Sequence, residues 1–231
     1  MNQSPASPTS LGVRPSTQLA SALLTQAFVW MFAGLLLTTI VAYLVQSEPR
    51  LLQLAYQYWF LLFVGQLALV VGITAAMKKI SATVALLLFF VYAASVGLTV
   101  GLIVKAYTDT SVAAAFFSAA AIFGAAAIYG AVTKRTLAGI GPTLFIGVIG
   151  LIVASVVNIF LVNDGISFII SVVGVVIFTA LTAYDVKRIT SGDYAAAAGS
   201  LEKAAVFSAL ALYLDFINIF LFLLRIFGSR N

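Results

Sequence analysis

Seven long apolar runs divide the chain, at roughly residues 27 to 46, 59 to 77, 82 to 104, 112 to 132, 143 to 162, 166 to 186 and 205 to 227. Each holds about the 20 mostly apolar residues a helix needs to cross a hydrocarbon core. Between them lie connectors rich in turn and breaker residues: "QSEPR", "MKKIS", "KAYTDTS", "TKRTLAGIGP", "VNDGIS" and the longer "KRITSGDYAAAAGSLEK". The pattern predicts seven transmembrane helices with sequential neighbours antiparallel. The fourth run is mostly alanine, and small residues suit close helix packing in lipid, so it reads as a tightly packed interior helix. Residues 1–25 are rich in Ser, Thr and Pro and lack the basic start and short apolar core of a secretory signal. They read as a flexible cytoplasmic tail, with residues 26–231 forming a single seven-helix domain.

Composition agrees. With 63% hydrophobic residues, 8% charged and a mean hydropathy of +1.15, the chain is far from a soluble domain and fits an all-α polytopic membrane protein. The absence of cysteine and histidine excludes disulfides, thiolate metal sites and His-based triads. The net charge of +5 does not indicate nucleic acid, because the basic residues stand singly or in pairs at the ends of apolar runs. They act as topology signals. With the amino terminus inside, Arg14, Lys78, Lys79, Lys134, Arg135, Lys187, Arg188 and Lys203 are cytoplasmic, against Arg50, Lys105, Arg225 and Arg230 outside. A cytoplasmic amino terminus is expected, with the carboxyl terminus outside after seven spans.

One acidic residue is out of place in this pattern. In "ALYLDFINIFLFLLRIFG", Asp215 lies twelve residues after Lys203 and ten before Arg225. That is about 18 Å and 15 Å along a helix, the middle of the membrane. An acidic residue there costs about 2.5 to 3.5 kcal/mol on insertion scales unless it faces protein or water. Ser208, Asp215, Asn218 and Arg225 follow at spacings of seven, three and seven, which puts them on one helix face. The last helix is therefore expected inside the bundle, its polar stripe turned to a cavity or a partner. The plainer alternative is an interhelical hydrogen-bond ladder.

Asp185 in "FTALTAYDVKRIT" is the candidate partner, at the cytoplasmic end of the sixth span. It has an equally good local role, an i, i+3 ion pair with Arg188. It also lies only about 4.5 Å along the helix from Arg188. The two aspartates meet only if the sixth helix sits deeper or the last begins further out. Gln66, Ser95, Thr99, Thr179 and Thr182 read as interhelical glue ahead of ion ligands, and Asn158 and Asn163 as helix-end residues.

These segments, with "AFVWMFAGLLLTTIVAYLV", "GQLALVVGI" and "YGAVTKRTLAGIGPTLFIGVIGLIVASVVNIFL" in order before them, resemble the bacterial branch of the transmembrane Bax inhibitor motif family. The likeness covers the chain from residue 25 onward. It implies an inner-membrane bundle of seven helices with the last at its centre, enclosed by the other six. It further implies a proton-sensitive calcium leak controlled by a pair of aspartates on helices six and seven, matching Asp185 and Asp215. Calcium is then a permeant or transiently bound ion on these two carboxylates, with no cofactor.

The chemistry is coherent. Two nearby carboxylates in a poorly solvated site resist ionising together and share a proton over part of the pH range. Full ionisation would supply two hard oxygen donors for calcium. Two departures stand out: relatives often read Asp-Thr-Gln where this chain has Asp185, Val186 and Lys187, and some carry a latch arginine in the second helix, which "FLLFVGQLALVVGITAAMKK" lacks. Lys78, Lys79 or Lys187 are the candidate substitutes.

Two rival classes compete with this reading. Intramembrane aspartyl proteases resemble Gly-x-Gly-Asp at the second aspartate, whereas Tyr213 and Leu214 precede Asp215, so no enzyme is expected. A non-conducting interaction protein, partnered by a membrane protease or another membrane protein in stress responses, is the alternative to a channel.

Overall fold

The structure, a computed structural model, describes residues 17–229, helical almost throughout and without a strand among them. Residues 1–16 of the expected tail, with Arg14, lie outside the described residues. Residues 17–25 do not belong to a tail: the first helix, α1, spans Thr17–Ser47. Past Pro15 no breaker interrupts the chain, and Leu23, Ala27 and Met31, spaced by four, bury one face of the added turns.

Pro49 stops α1, because Glu48 before it is driven to an extended conformation (φ −111°, ψ 105°). The chain restarts as α2 (Pro49–Gln57) and then α3 (Trp59–Ala75), bent 73° to one another. The second span is thus the straight part of a broken pair, and "PRLLQLAYQ", part of which was expected as connector, is helical. The remaining helices are α4 (Ala82–Val104), α5 (Asp109–Val132), α6 (Gly141–Leu161), α7 (Asp164–Ser191), α8 (Asp193–Ala198) and α9 (Leu201–Phe227). The hydroxyls of Ser81, Thr108 and Ser200 and the amide oxygen of Asn163 accept from the first-turn amides of α4, α5, α9 and α7, satisfying donors that lipid cannot. Among the described residues six helices are long and apolar enough to cross a membrane, seven if the bent pair is counted as one span.

Helix α9 is the inner helix. Of its apolar window 72% is buried, against 28% for α1 and 11% for α6. It packs against α1, α4, α5, α7 and α8. The expected enclosure by six helices is corrected: α3 packs chiefly on α4 and α6 chiefly on α7, both at the periphery. Their apolar side chains meet lipid, as exposed Leu61, Val71, Phe145 and Phe160 indicate. The alanine-rich α5 is interior on one face only. Ala115, Ala119, Ala127 and Gly130 are buried, while Phe117, Ile128 and Val132 are exposed. A Cβ at Gly130 would collide with the Ala183 carbonyl of α7, which shows how close the two backbones come.

Two ties establish which ends lie together. At one end the Ser229 amide donates to Ser111 Oγ (3.0 Å) and the Thr108 amide to the Ser229 carbonyl (3.1 Å), joining the end of α9 to the start of α5. At the other, Lys187 Nζ donates to the Thr133 carbonyl (2.6 Å) at the end of α5.

Candidate functional site

The site is built where α7, α8 and α9 meet. Helix α7 runs on through Lys187 and Arg188 to Ser191, so both basic residues are helical rather than in a loop. Asp185 is buried, 8% exposed, and Asp215 on α9 is 3% exposed. The two carboxyls lie within electrostatic reach of one another. The two residues stand at different depths along their own helices. Asp215 stands fourteen residues into α9 and Asp185 six residues before the end of α7, about 21 Å and 9 Å along their axes. Helix α9 therefore begins farther out than α7 ends, and α8, packed against both, takes up the difference.

Around Asp185 the partners are specific. The Tyr194 hydroxyl of α8 donates to Asp185 Oδ1 at 3.0 Å, and Arg188 Nη1 stands 3.9 Å from the same oxygen. The guanidinium lies 4.4 Å from the centre of the Tyr194 ring and 5.5 Å from that of Tyr184, within cation–π range. Burial, and then the charge of Asp185, push the Tyr194 phenol well above its ordinary value. It therefore stays protonated and acts as a donor.

Asp215 has less. The Thr182 side chain of α7 faces it, but the Thr182 hydroxyl donates to the Phe178 carbonyl at 2.8 Å. Asp215 Oδ2 is buried with no hydrogen-bond partner, and so is Ser208 Oγ two turns earlier. These are the two orphaned buried side-chain atoms among the described residues. Such groups are costly in a dry interior, and the two stand on one face of α9.

The polar stripe is only half realised. Ser208 and Asp215 face inward, whereas Asn218 is half-buried and donates to the Leu214 carbonyl of its own helix (2.8 Å), and Arg225 is exposed. The spacing explains this, since each heptad drifts by about 20° and the three-residue step adds about 60°. Ser208 and Arg225 end roughly 100° apart.

The expected latch cations are corrected too. Lys187 is tied to Thr133 at the end of α5, where a cation also suits the helix dipole. Lys78 and Lys79 are exposed in the turn after α3 and make no ion pair among the described residues. The cation beside the pair is Arg188, named in the sequence only as a local i, i+3 partner. Tyr194 was not legible at all. It sits in a connector, and the only signal was an aromatic between two glycines, Gly192 and Gly199.

A separate polar node holds α9 in register. Tyr213, fully buried, shares a 2.6 Å hydrogen bond with Thr38 of α1. Thr38 Oγ1 is also 2.9 Å from the Ala93 carbonyl of α4. The Tyr213 ring packs edge-on against Phe89 and Tyr92. Two residues further on, Asp215 is thereby turned to α7.

Among the described residues no group of three or more acidic side chains could hold a metal ion. The oxygen donors at hand are two carboxylates and the hydroxyls of Thr182 and Tyr194, short of the six to eight oxygens of a resident calcium site.

A family model described as "Inhibitor of apoptosis-promoting Bax1" matches residues 20–231. The chain is 38% identical over 214 residues to the inner membrane protein YbhL of Escherichia coli, covering 90% of this chain and 92% of that protein. It is 40% identical over 209 residues to an uncharacterized protein of Deinococcus radiodurans, covering 90% of each. It is 35% identical over 209 residues to the uncharacterized protein RP147 of Rickettsia prowazekii, covering 89% of each. None of these names states an enzymatic activity.

Proposed function

The chain belongs to the family of inhibitors of apoptosis-promoting Bax1, integral membrane proteins that include the inner membrane protein YbhL, and we propose that it is a pH-sensitive cation leak whose gate is the pair Asp185 and Asp215. One observation carries this reading: Asp215, on the innermost helix, is buried with Oδ2 unpartnered while a second carboxylate faces it from α7. A structural role would ask for a satisfied group. A carboxylate that must exchange a proton for a cation has to keep an oxygen free.

When the pair shares a proton, the carboxyls can hydrogen-bond and hold α7 against α9. When both ionise, they repel and present hard oxygens suited to calcium. Acid should therefore reduce calcium passage. Calcium efflux from liposomes holding the purified protein, with Asp215→Asn and Asp185→Asn beside the parent, tests this reading. It predicts a parent leak that either substitution abolishes or shifts in pH, and rates equal to empty liposomes for all three would overturn it.

A second reading, a non-conducting regulatory protein, is favoured by the far half of α9. Beyond Asp215 that helix buries Phe216, Ile217, Ile219, Phe220, Leu223 and Leu224, an apolar stretch that offers a cation no oxygen ligand. The same efflux experiment separates the two, since this reading leaves the flux unchanged by Asp215→Asn and moves the effect to partner binding.

A further inference from the structure

The six-residue helix α8 is bounded by Gly192 (φ 86°) and Gly199 (φ 74°). Both are left-handed, a conformation that glycine adopts without strain, and they bracket the segment with two swivel points. A helix this short does not hold itself in water, so its seat depends on what it touches. Tyr194 and Ala198, one turn apart, face inward and are buried, while Asp193 and Ala196 are exposed. The other inward contacts of "DYAAAA" are methyl groups, which leaves the tyrosine as the principal fastening.

That tyrosine reaches the aspartate site. Its hydroxyl donates to Asp185 Oδ1 at 3.0 Å, and its ring lies under the Arg188 guanidinium at 4.4 Å. The charge of Asp215 also falls on it. Tyr194 thus reaches the pair from outside α7 and α9 by a hydrogen bond, and it comes from the end of the bundle that Lys187 and Thr133 share.

We propose that α8 is a hinged lid packed against the Asp185–Asp215 site and that Tyr194 is its catch, a positioning residue that holds the Asp185 carboxylate and keeps water and cations from the pair. The proposal rests on the reading that ions pass the aspartates. It explains why a tyrosine with no place in a membrane span is buried to 6% exposure. With the catch released, rotation at Gly192 and Gly199 would lift α8 while α7 and α9 stay packed.

The chain has no cysteine, so a single Thr182→Cys reports access to the site: Thr182 is fully buried and faces Asp215. In liposomes holding the full chain, its rate of modification by a cationic methanethiosulfonate is measured together with calcium efflux. Tyr194→Phe keeps the ring and its stacking on Arg188 and loses only the hydroxyl. It is expected to raise both labelling and efflux by about tenfold, the order of one lost hydrogen bond to a charged group, and Tyr194→Ala by more. Gly199→Ala, whose methyl meets no atom within 4 Å but strains the backbone at φ +74°, loosens the lid without touching the site and gives a smaller rise. Unchanged labelling in all three variants would overturn the lid. Faster labelling without faster efflux would keep the lid and overturn the leak.

Discussion

Tyr194 and Asp185, nine residues apart on two different helices, are joined by a 3.0 Å hydrogen bond from phenol to carboxylate. The bond crosses a glycine turn, so a connector residue becomes part of a site that otherwise lies on membrane helices. Its surroundings assign separate roles to the neighbouring cations. Arg188 shares the Asp185 oxygen and the Tyr194 ring, and Lys187 faces the other way, to Thr133.

This division is testable. Arg188→Gln removes the cation at Asp185 and should change calcium efflux and its pH dependence, whereas Lys187→Gln should leave both within about twofold of the parent and cost on the order of 1 kcal/mol of stability through the lost bond to Thr133. Equal effects of the two substitutions on efflux would contradict the assignment.

The Tyr194 phenol, pushed up by burial and by Asp185, is a donor throughout the neutral and acid range. Sign follows directly: a raised tyrosine stays protonated until pH exceeds its ordinary value, so its bond to Asp185 is not lost on acidification through its own titration. The pH response of the parent should therefore persist in Tyr194→Phe, displaced in amplitude, and vanish only when an aspartate is replaced. Disappearance of the response in Tyr194→Phe would move the sensor to the phenol.

Thr38→Val leaves the fully buried Tyr213 hydroxyl without its 2.6 Å partner. A loss of about 1–3 kcal/mol is expected, read as a lower thermal midpoint in detergent. Removing the orphaned hydroxyl by Tyr213→Phe in the same chain should recover part of it, since an unpaired buried hydroxyl costs more than an absent one.

The close approach of α5 to α7 predicts opposite outcomes at two glycines of one helix. Gly130→Ala forces a Cβ into the Ala183 backbone and should lower the midpoint clearly, while Gly124→Ala meets nothing within 4 Å and should be neutral or stabilising by up to about 1 kcal/mol through helix propensity. Indistinguishable midpoints would show that the contact yields.

Much of the architecture was legible because membrane helices announce themselves by length and composition: the apolar runs, the inward place of α9 and the singular Asp215 follow from the price of charge in lipid. What was not legible came from packing. Nothing in the runs at 59 to 77 and 143 to 162 distinguishes a helix that encloses α9 from one that lies outside it, since both are apolar but for a few polar residues such as Gln66 and Asn158. The bend at Tyr58 was hidden because leucines continue on both sides of it. Asn218 and Arg225 share a spacing with Asp215 but not its surroundings, as the helical drift carries them away. Tyr194 reaches Asp185 only through the turn at Gly192, a geometry set by backbone dihedrals.

The most direct measurement is calcium efflux from proteoliposomes, followed from neutral to acid pH, for the parent and Asp215→Asn. The account predicts a parent leak that falls as pH is lowered and a variant whose leak no longer responds to pH. A parent no leakier than empty liposomes, or a leak that rises on acidification and is unaltered by Asp215→Asn, would contradict it.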